Sequence, residues 1–517
     1  MDKFKSLLNV LVSVAFKLML LVGAILVKRF IIQYIGNEVN GLNALYGSII
    51  GFLGVAELGV GSAITFCMYR PIVNGETQKV AALYHLFTKL YYIVGGIILA
   101  GGIIVMFFLP YLVADYESIN QNLYLTFALM LVSVVISYLF SSKTSLINAY
   151  KNNYITTIIS SSGLVLQYVL QIVVLVCTRS FVWFLACRIV AAIVQWAATE
   201  IVVRVKYRDV IAVKSTIDDE TKKSVTKNIK AMFMHKIGGV LVNTADSVII
   251  SAFIGAVILG IYSNYTTIMT AMTDTIVLFF TPLTSVIGHM CVRQDETEIR
   301  RYFNFFHTLN FIIGVIFFLG YYAVIDDLIT ICFGSGDGDL IMSKSVSFII
   351  TLNYFIQFMR QATMLFRDAT GTFYNDRWKP LFEGLTNVVL SIAFVYLFSY
   401  AFGESFAVVG VITATIITNI LICHIVEPHV LYKYALHISA GKYYLKNYLY
   451  IALFAAVLIA LNFCLVDIDN VWIELVVNAC ISIAVSLAVI VAAIVCDRDF
   501  RHYVCAFIKK IKSKLAY

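Results

Sequence analysis

The chain has 517 residues, 61% of them hydrophobic and only 13% charged, with a mean hydropathy of +0.88 and a formal net charge of +8. A soluble protein of this length needs a polar shell that such a composition cannot supply. The apolar runs lack strand alternation and far exceed the ~9–11 residues of a membrane barrel strand, so the chain reads as an all-α polytopic membrane protein.

The basic start "MDKFK" resembles a secretory n-region, but the apolar stretch continues past Lys17 to Val27 without a small-residue cleavage site. It therefore reads as a retained first helix. Charges, Gly/Pro and Asn clusters divide the chain into about fourteen spans, predicted at 7–33, 41–69, 83–113, 121–149, 155–178, 181–204, 231–254, 261–289, 303–325, 341–366, 380–402, 406–429, 447–466 and 471–496. The resulting organisation is an N-terminal six-helix bundle (1–204), a cytoplasmic linker (205–230) and a second six-helix bundle (231–430). An appended helix pair (431–496) and a basic tail (497–517) follow.

With both termini assigned to the cytoplasm, 32 of the 38 Lys and Arg residues fall on that side, and Lys28, Arg29, Arg179 and Lys344 fall outside. Lys17 and Arg188 remain within spans. This is the distribution that the positive-inside rule demands. The net charge is then topology and attraction to anionic membrane lipid, and implies no nucleic-acid partner. Ten cysteines are scattered without a CxxC pair, and no His stands at metal-ligand spacing, so neither a metal nor a cofactor is expected.

An internal repeat runs through the chain at an offset of 219 residues. "IIQYIGNEVNGLNALYGSI" (31–49) aligns without a gap on "ISAFIGAVILGIYSNYTTI" (250–268), with Gly36/Gly255, Gly41/Gly260 and Tyr46/Tyr265 identical. Six spans separate the copies, so both halves face the same way. That predicts a pseudo-two-fold axis along the membrane normal, the parallel-repeat arrangement of transporters.

The same residues carry a family resemblance. The opening "RFIIQYIGNEVNGLNAL…AELGVGSAI" resembles that of the polysaccharide transporter family, through Arg29, Gly36, Glu38, Gly41, Leu42, Glu57, Leu58 and Gly59. "HKIGGVLVNTADSVIISAFIGAVILGIYSNY" is similar to the family's seventh helix and turn, through Lys236, Gly238, Asp246, Gly260, Tyr262, Asn264 and Tyr265. "FRDATGTFYNDRWKPLFEGLTNVVLS" resembles its segment around helices ten and eleven, through Arg367, Gly371, Pro380, Glu383, Asn387 and Ser391. These are O-antigen/capsule-type flippases of the multidrug/oligosaccharidyl-lipid/polysaccharide exporter superfamily. The resemblance implies alternating access in the bacterial cytoplasmic membrane. Its implied cargo is a polyprenyl-pyrophosphate-linked glycan, with other polysaccharide assembly proteins as partners. A lipid II-type flippase or a drug or cation exporter are the alternatives within the superfamily. An integral-membrane glycan polymerase or ligase is disfavoured, because the longest outer segment, about Ile325–Ile341, carries neither His nor Arg.

A flippase breaks no bonds, so no catalytic residue is expected; the pyrophosphate needs cations and the sugars a wet path. Lys17, Lys28, Arg29, Arg188 and Lys236 are the candidate substrate-binding residues. Lys28 and Arg29 could equally snorkel to outer headgroups. Glu57 is the only charged side chain between Glu38 and Arg70. A carboxylate there costs roughly 2.5–3.5 kcal/mol on insertion scales. It reads as an ion-pair partner of Lys17 at similar depth, as an H+ or Na+ coupling site, or as a packing group beside its glycines. Asp246 and Asp274 lie at matching predicted depths, where they would share a coupling ion or else bond to neighbouring Asn, Ser and Thr.

Overall fold

The computed structural model describes residues 2–57, 60–114, 116, 119–213, 215, 240, 244–280, 283, 287–288, 290, 296–334, 340–497 and 500–502. These are helical with no strand among them, and nine of the described helices are long and apolar enough to cross a membrane. The protein is a multi-pass helical membrane protein.

Two compact units form, Met1–Gly260 and Ile261–Tyr517. The first contains α1 (Asp2–Tyr34), α2 (Asn37–Leu53), α3 (Val60–Val73), α4 (Thr77–Phe108), α5 (Leu123–Ala149), α6 (Asn153–Thr178), α7 (Phe181–Lys206) and α8 (Thr244–Phe253). The unit boundary falls inside α9 (Ala256–Phe280). The second unit continues with α10 (Glu296–Phe333), α11 (Lys344–Met359), α12 (Gln361–Thr370), α13 (Lys379–Phe402), α14 (Ala407–Thr418), α15 (His424–Tyr434), α16 (Gly441–Cys464) and α17 (Val471–Cys496). Most of the predicted 205–230 linker lies outside the described residues.

Three predicted spans are interrupted. The span at 41–69 breaks into α2, a 3-10 turn at Gly54–Glu57, and α3. The span at 341–366 is split at Arg360, between α11 and α12, and the span at 406–429 contains a π-helical turn at Asn419–Cys423. Such breaks free backbone groups, which a membrane protein tolerates only where protein or a wet cavity surrounds them. They mark places where local hydropathy did not decide the backbone.

The repeat is visible in local geometry. Gly36 and Gly255 adopt φ of 120° and 123°, a region that disfavours side chains, and each amide closes the preceding helix on the carbonyl of Ile31 or Ile250. Within the first unit, the repeat-related segments 37–41 and 256–260 cross at backbone contact. A methyl on Gly41 would lie 1.8 Å from the Ala256 carbonyl oxygen, and one on Gly260 would lie 2.3 Å from the Asn37 carbonyl oxygen. Ala256 is the repeat mate of Asn37, so each half makes the other's contact, the signature of a two-fold relation. The Asn37 and Asn40 amides donate to the Val257 and Gly260 carbonyls at 2.9 and 3.0 Å. Two buried tyrosines extend the pattern. The Tyr46 hydroxyl reaches the Leu123 carbonyl, and the Tyr265 hydroxyl accepts from the amide of Met342, the repeat mate of Leu123.

Candidate functional site

In the first unit, the α2 break delivers Glu57 to two tyrosines. The Tyr91 hydroxyl, on α4, donates to Glu57 Oε1 at 3.4 Å, and Tyr138, on α5, lies near the same carboxylate. Gly61 makes room for the Tyr91 hydroxyl. A methyl on Gly61 would lie 2.7 Å from the Tyr91 oxygen, and one on Gly54 3.9 Å from the Tyr138 oxygen. The carboxylate is half-buried and has no ion-pair partner among the described residues. Lys17 lies on α1, with its side chain outside the described residues, as does all of Lys236.

Arg188 occupies the second position of this kind. It lies two turns into α7, is half-buried, and directs Nη1 to Asn43 Oδ1 on α2 at 3.5 Å and to Met130 Sδ on α5 at 3.6 Å. The ring of Tyr168 on α6 packs over Gly23 of α1, where a methyl would lie 2.5 Å away. Side chains of α2 and α5 thus meet one guanidinium of α7 that no described carboxylate neutralises. Lys28 and Arg29 are half-buried on α1, within two turns of its end at Tyr34.

Asp246 is half-buried on α8, whereas Asp274 is exposed on α9. Thr273 and Thr275 each donate to the carbonyl four residues back on α9, and Thr244 donates to the Val240 carbonyl.

The second unit holds a charged cluster that the sequence reading did not single out. Arg360, at the α11–α12 junction, donates Nη2 to Glu427 Oε1 at 2.6 Å, Nε to Glu427 Oε2 at 3.1 Å, and Nη1 to Glu383 Oε1 at 3.3 Å. Its Nη1 also reaches Asn419 of the π turn at 2.7 Å. Lys379 completes the ring, 2.7 Å from Glu383 and 2.6 Å from Glu427. The side chains of Glu427, Lys379 and Glu383 are only 1%, 4% and 6% exposed. Arg367 beside it pairs with Asp376 at 2.8 Å and with Asp368. Two signals pointed here: Lys379 and Glu383 stand at i,i+4, and Glu383 and Arg367 belong to the third resemblance block.

His307 and His424 form one buried chain through Asn447. His424 Nε2 donates to the Ile356 carbonyl at 2.9 Å, so its Nδ1 accepts from the Asn447 amide at 2.9 Å. The Asn447 oxygen then accepts from His307 Nε2 at 3.1 Å. No group of His, Cys, Asp and Glu able to hold a metal ion occurs among the described residues.

No protein-family model and no curated protein matches the chain. Solved structures do. An inward-facing multidrug resistance MATE family transporter of the MOP superfamily superposes with a TM-score of 0.62 at 14% identity, over 86% of this chain and 98% of that one. The lipid II flippase MurJ, in an inward closed conformation, gives 0.59 at 14% identity, over 92% of this chain and 97% of that one. A variant of the Vibrio cholerae MATE transporter VcmN gives 0.51 at 13% identity, over 85% of this chain and 100% of that one. At these identities the likeness establishes the architecture: the chain has a MATE/MurJ-like helical fold.

Proposed function

We propose that this chain is a flippase that carries a polyprenyl-pyrophosphate-linked oligosaccharide from the cytoplasmic to the outer leaflet. It would act by alternating access in the bacterial cytoplasmic membrane, with both termini cytoplasmic, in surface polysaccharide synthesis. The fold likeness and the three resemblance blocks support the class. Arg188 carries the choice of cargo. A guanidinium inside a spanning helix, held by an amide oxygen and a thioether, keeps its charge available to an anion. Its planar donors suit phosphate oxygens. An exporter of organic cations has no use for an uncompensated cation in its path. Lys17, Lys28, Arg29 and Lys236 are proposed as further phosphate contacts along the route, and Glu57, Asp246 and Asp274 as positions for a driving H+ or Na+.

The test is reconstitution of purified protein in liposomes containing a polyprenyl-pyrophosphate glycan, with leaflet position read by an impermeant glycosidase. Unaltered glycan should move between leaflets. A lengthened or transferred glycan would instead make the protein an enzyme, and an Arg188→Gln variant flipping at the wild-type rate would remove the cargo argument.

A further inference from the structure

A cavity of about 530 Å³ lies in the second unit between α10, α16 and α17, in the appended helix pair outside the sequence repeat. Its volume falls within the roughly 300–1,000 Å³ of small-molecule sites. Phe311 and Tyr450 form its floor, their rings stacked with centroids 4.0 Å apart. One wall is a ladder of Leu445, Leu449 and Leu453, which share a face of α16 and are 66%, 57% and 42% exposed. The facing wall on α17 is made of Ala492, Ala493 and Cys496, whose small side chains leave the slot open.

The mouth is polar and carries Lys442, Lys446 and Asp497. Burial alone would push the Asp497 carboxyl up, but hydrogen bonds from Lys446 at 2.6 Å and Thr308 at 2.5 Å outweigh it and hold it below the usual range. Asp497 therefore stays charged and is occupied by Lys446. Lys442 is exposed and has no carboxylate at ion-pair distance among the described residues. Arg501 donates to the carbonyl of Val495, the neighbour of Cys496, at 3.4 Å. A slot with apolar walls, open along leucines to the bilayer and rimmed by net positive charge, matches one kind of ligand.

We infer that this groove binds an anionic phospholipid of the adjacent leaflet, one acyl chain lying along the leucine ladder and the phosphate resting at Lys442. A basic residue near an anionic lipid surface is worth about 1 kcal/mol, about a fivefold factor in affinity. The full-length protein, released from detergent micelles into a native mass spectrometer, should retain one phosphatidylglycerol where phosphatidylcholine of the same acyl chains is lost. Lys442→Glu should weaken retention at least about fivefold. Ala492→Phe, which fills the slot from an exposed position, should abolish it. Both variants should keep the thermal midpoint of the parent. Should Ala492→Phe fail to fold, Lys442→Glu still decides. Equal retention of the two lipids, or retention unchanged by Lys442→Glu, would overturn the inference. Displacement of phosphatidylglycerol by equimolar polyprenyl phosphate would also overturn it, since the groove would then belong to a transported lipid.

Discussion

The two units treat charge inside the bilayer differently. In the second, Arg360, Lys379, Glu383 and Glu427 close into a ring of two cations and two anions, with every member within 3.3 Å of an opposite charge. In the first, Arg188 meets an amide oxygen and a thioether, and Glu57 meets the Tyr91 hydroxyl. Dipoles solvate a charge without cancelling it. A ring of ions leaves nothing for a ligand to gain, whereas a dipole-held charge in a low-dielectric setting still attracts an opposite one. The ring fixes the backbone where α11, α12, α13 and the π turn meet; the dipole-held charges are the ones suited to meet cargo or a coupling ion.

Breaking the ring should produce the largest effect. Glu427 is shared by Arg360 and Lys379, so Glu427→Gln leaves two buried cations with one carboxylate between them. Removing one partner of a buried ion pair costs about 3–5 kcal/mol. The expected outcome is a collapse in folded yield and a large fall in thermal midpoint, measured by size-exclusion profiles over a temperature series. A Glu427→Gln protein as stable as the parent would erase the distinction between the units.

Arg188→Gln tests the other side of the comparison. The amide keeps a donor for Asn43 and removes a half-buried charge, so stability should hold or rise slightly. Transport of a pyrophosphate-linked glycan should fall at least about tenfold, the factor that 1.4 kcal/mol represents. Lost stability with transport per folded molecule unchanged would return Arg188 to a structural role.

The sequence made the helices and the repeat legible, because both depend on local patterns. Runs of about twenty apolar residues mark spans, and Gly36/Gly255 and Gly41/Gly260 mark turns and crossings that exclude a Cβ. The break at Gly54–Glu57 was not legible, since one carboxylate in an otherwise apolar run does not by itself end a helix; Glu57 and the glycines near it were the available signal. The ring was missed for a different reason. Arg360, Lys379, Glu383 and Glu427 come from a helix junction and two helices, spread over 67 residues between the first and the last. Only Lys379 and Glu383 stand at a spacing with local meaning. Arg360 also counts among the cytoplasmic charges when hydropathy alone sets the helix ends. Long-range pairing of charges is tertiary information.

A smaller effect is expected at the tyrosines around Glu57. Tyr91→Phe keeps the stacking with Phe87 and removes one donor from the carboxylate. The contact at 3.4 Å is long, so the loss should be about 1 kcal/mol in unfolding measurements. A loss as large as that of Glu427→Gln would mean that the hydroxyl, not its neighbours, sustains the charge.

The smallest change should come from Glu57 itself, and its size decides what Glu57 is. Glu57→Gln retains an oxygen that accepts from Tyr91, losing only the charge assistance to that bond while relieving the cost of a carboxylate in the bilayer. These terms oppose each other, so stability should change by less than about 1 kcal/mol. If Lys17 is instead its ion-pair partner, Glu57→Gln should cost about 3–5 kcal/mol, Lys17→Met should cost a similar amount, and the double variant should recover. Thermal midpoints of the three proteins separate the two cases. A near-neutral Glu57→Gln that transports normally at every pH would leave Glu57 as a packing group at the α2 break. A near-neutral variant whose transport no longer responds to a proton or sodium gradient would identify the carboxylate as the coupling site, because the charge is then the only thing removed.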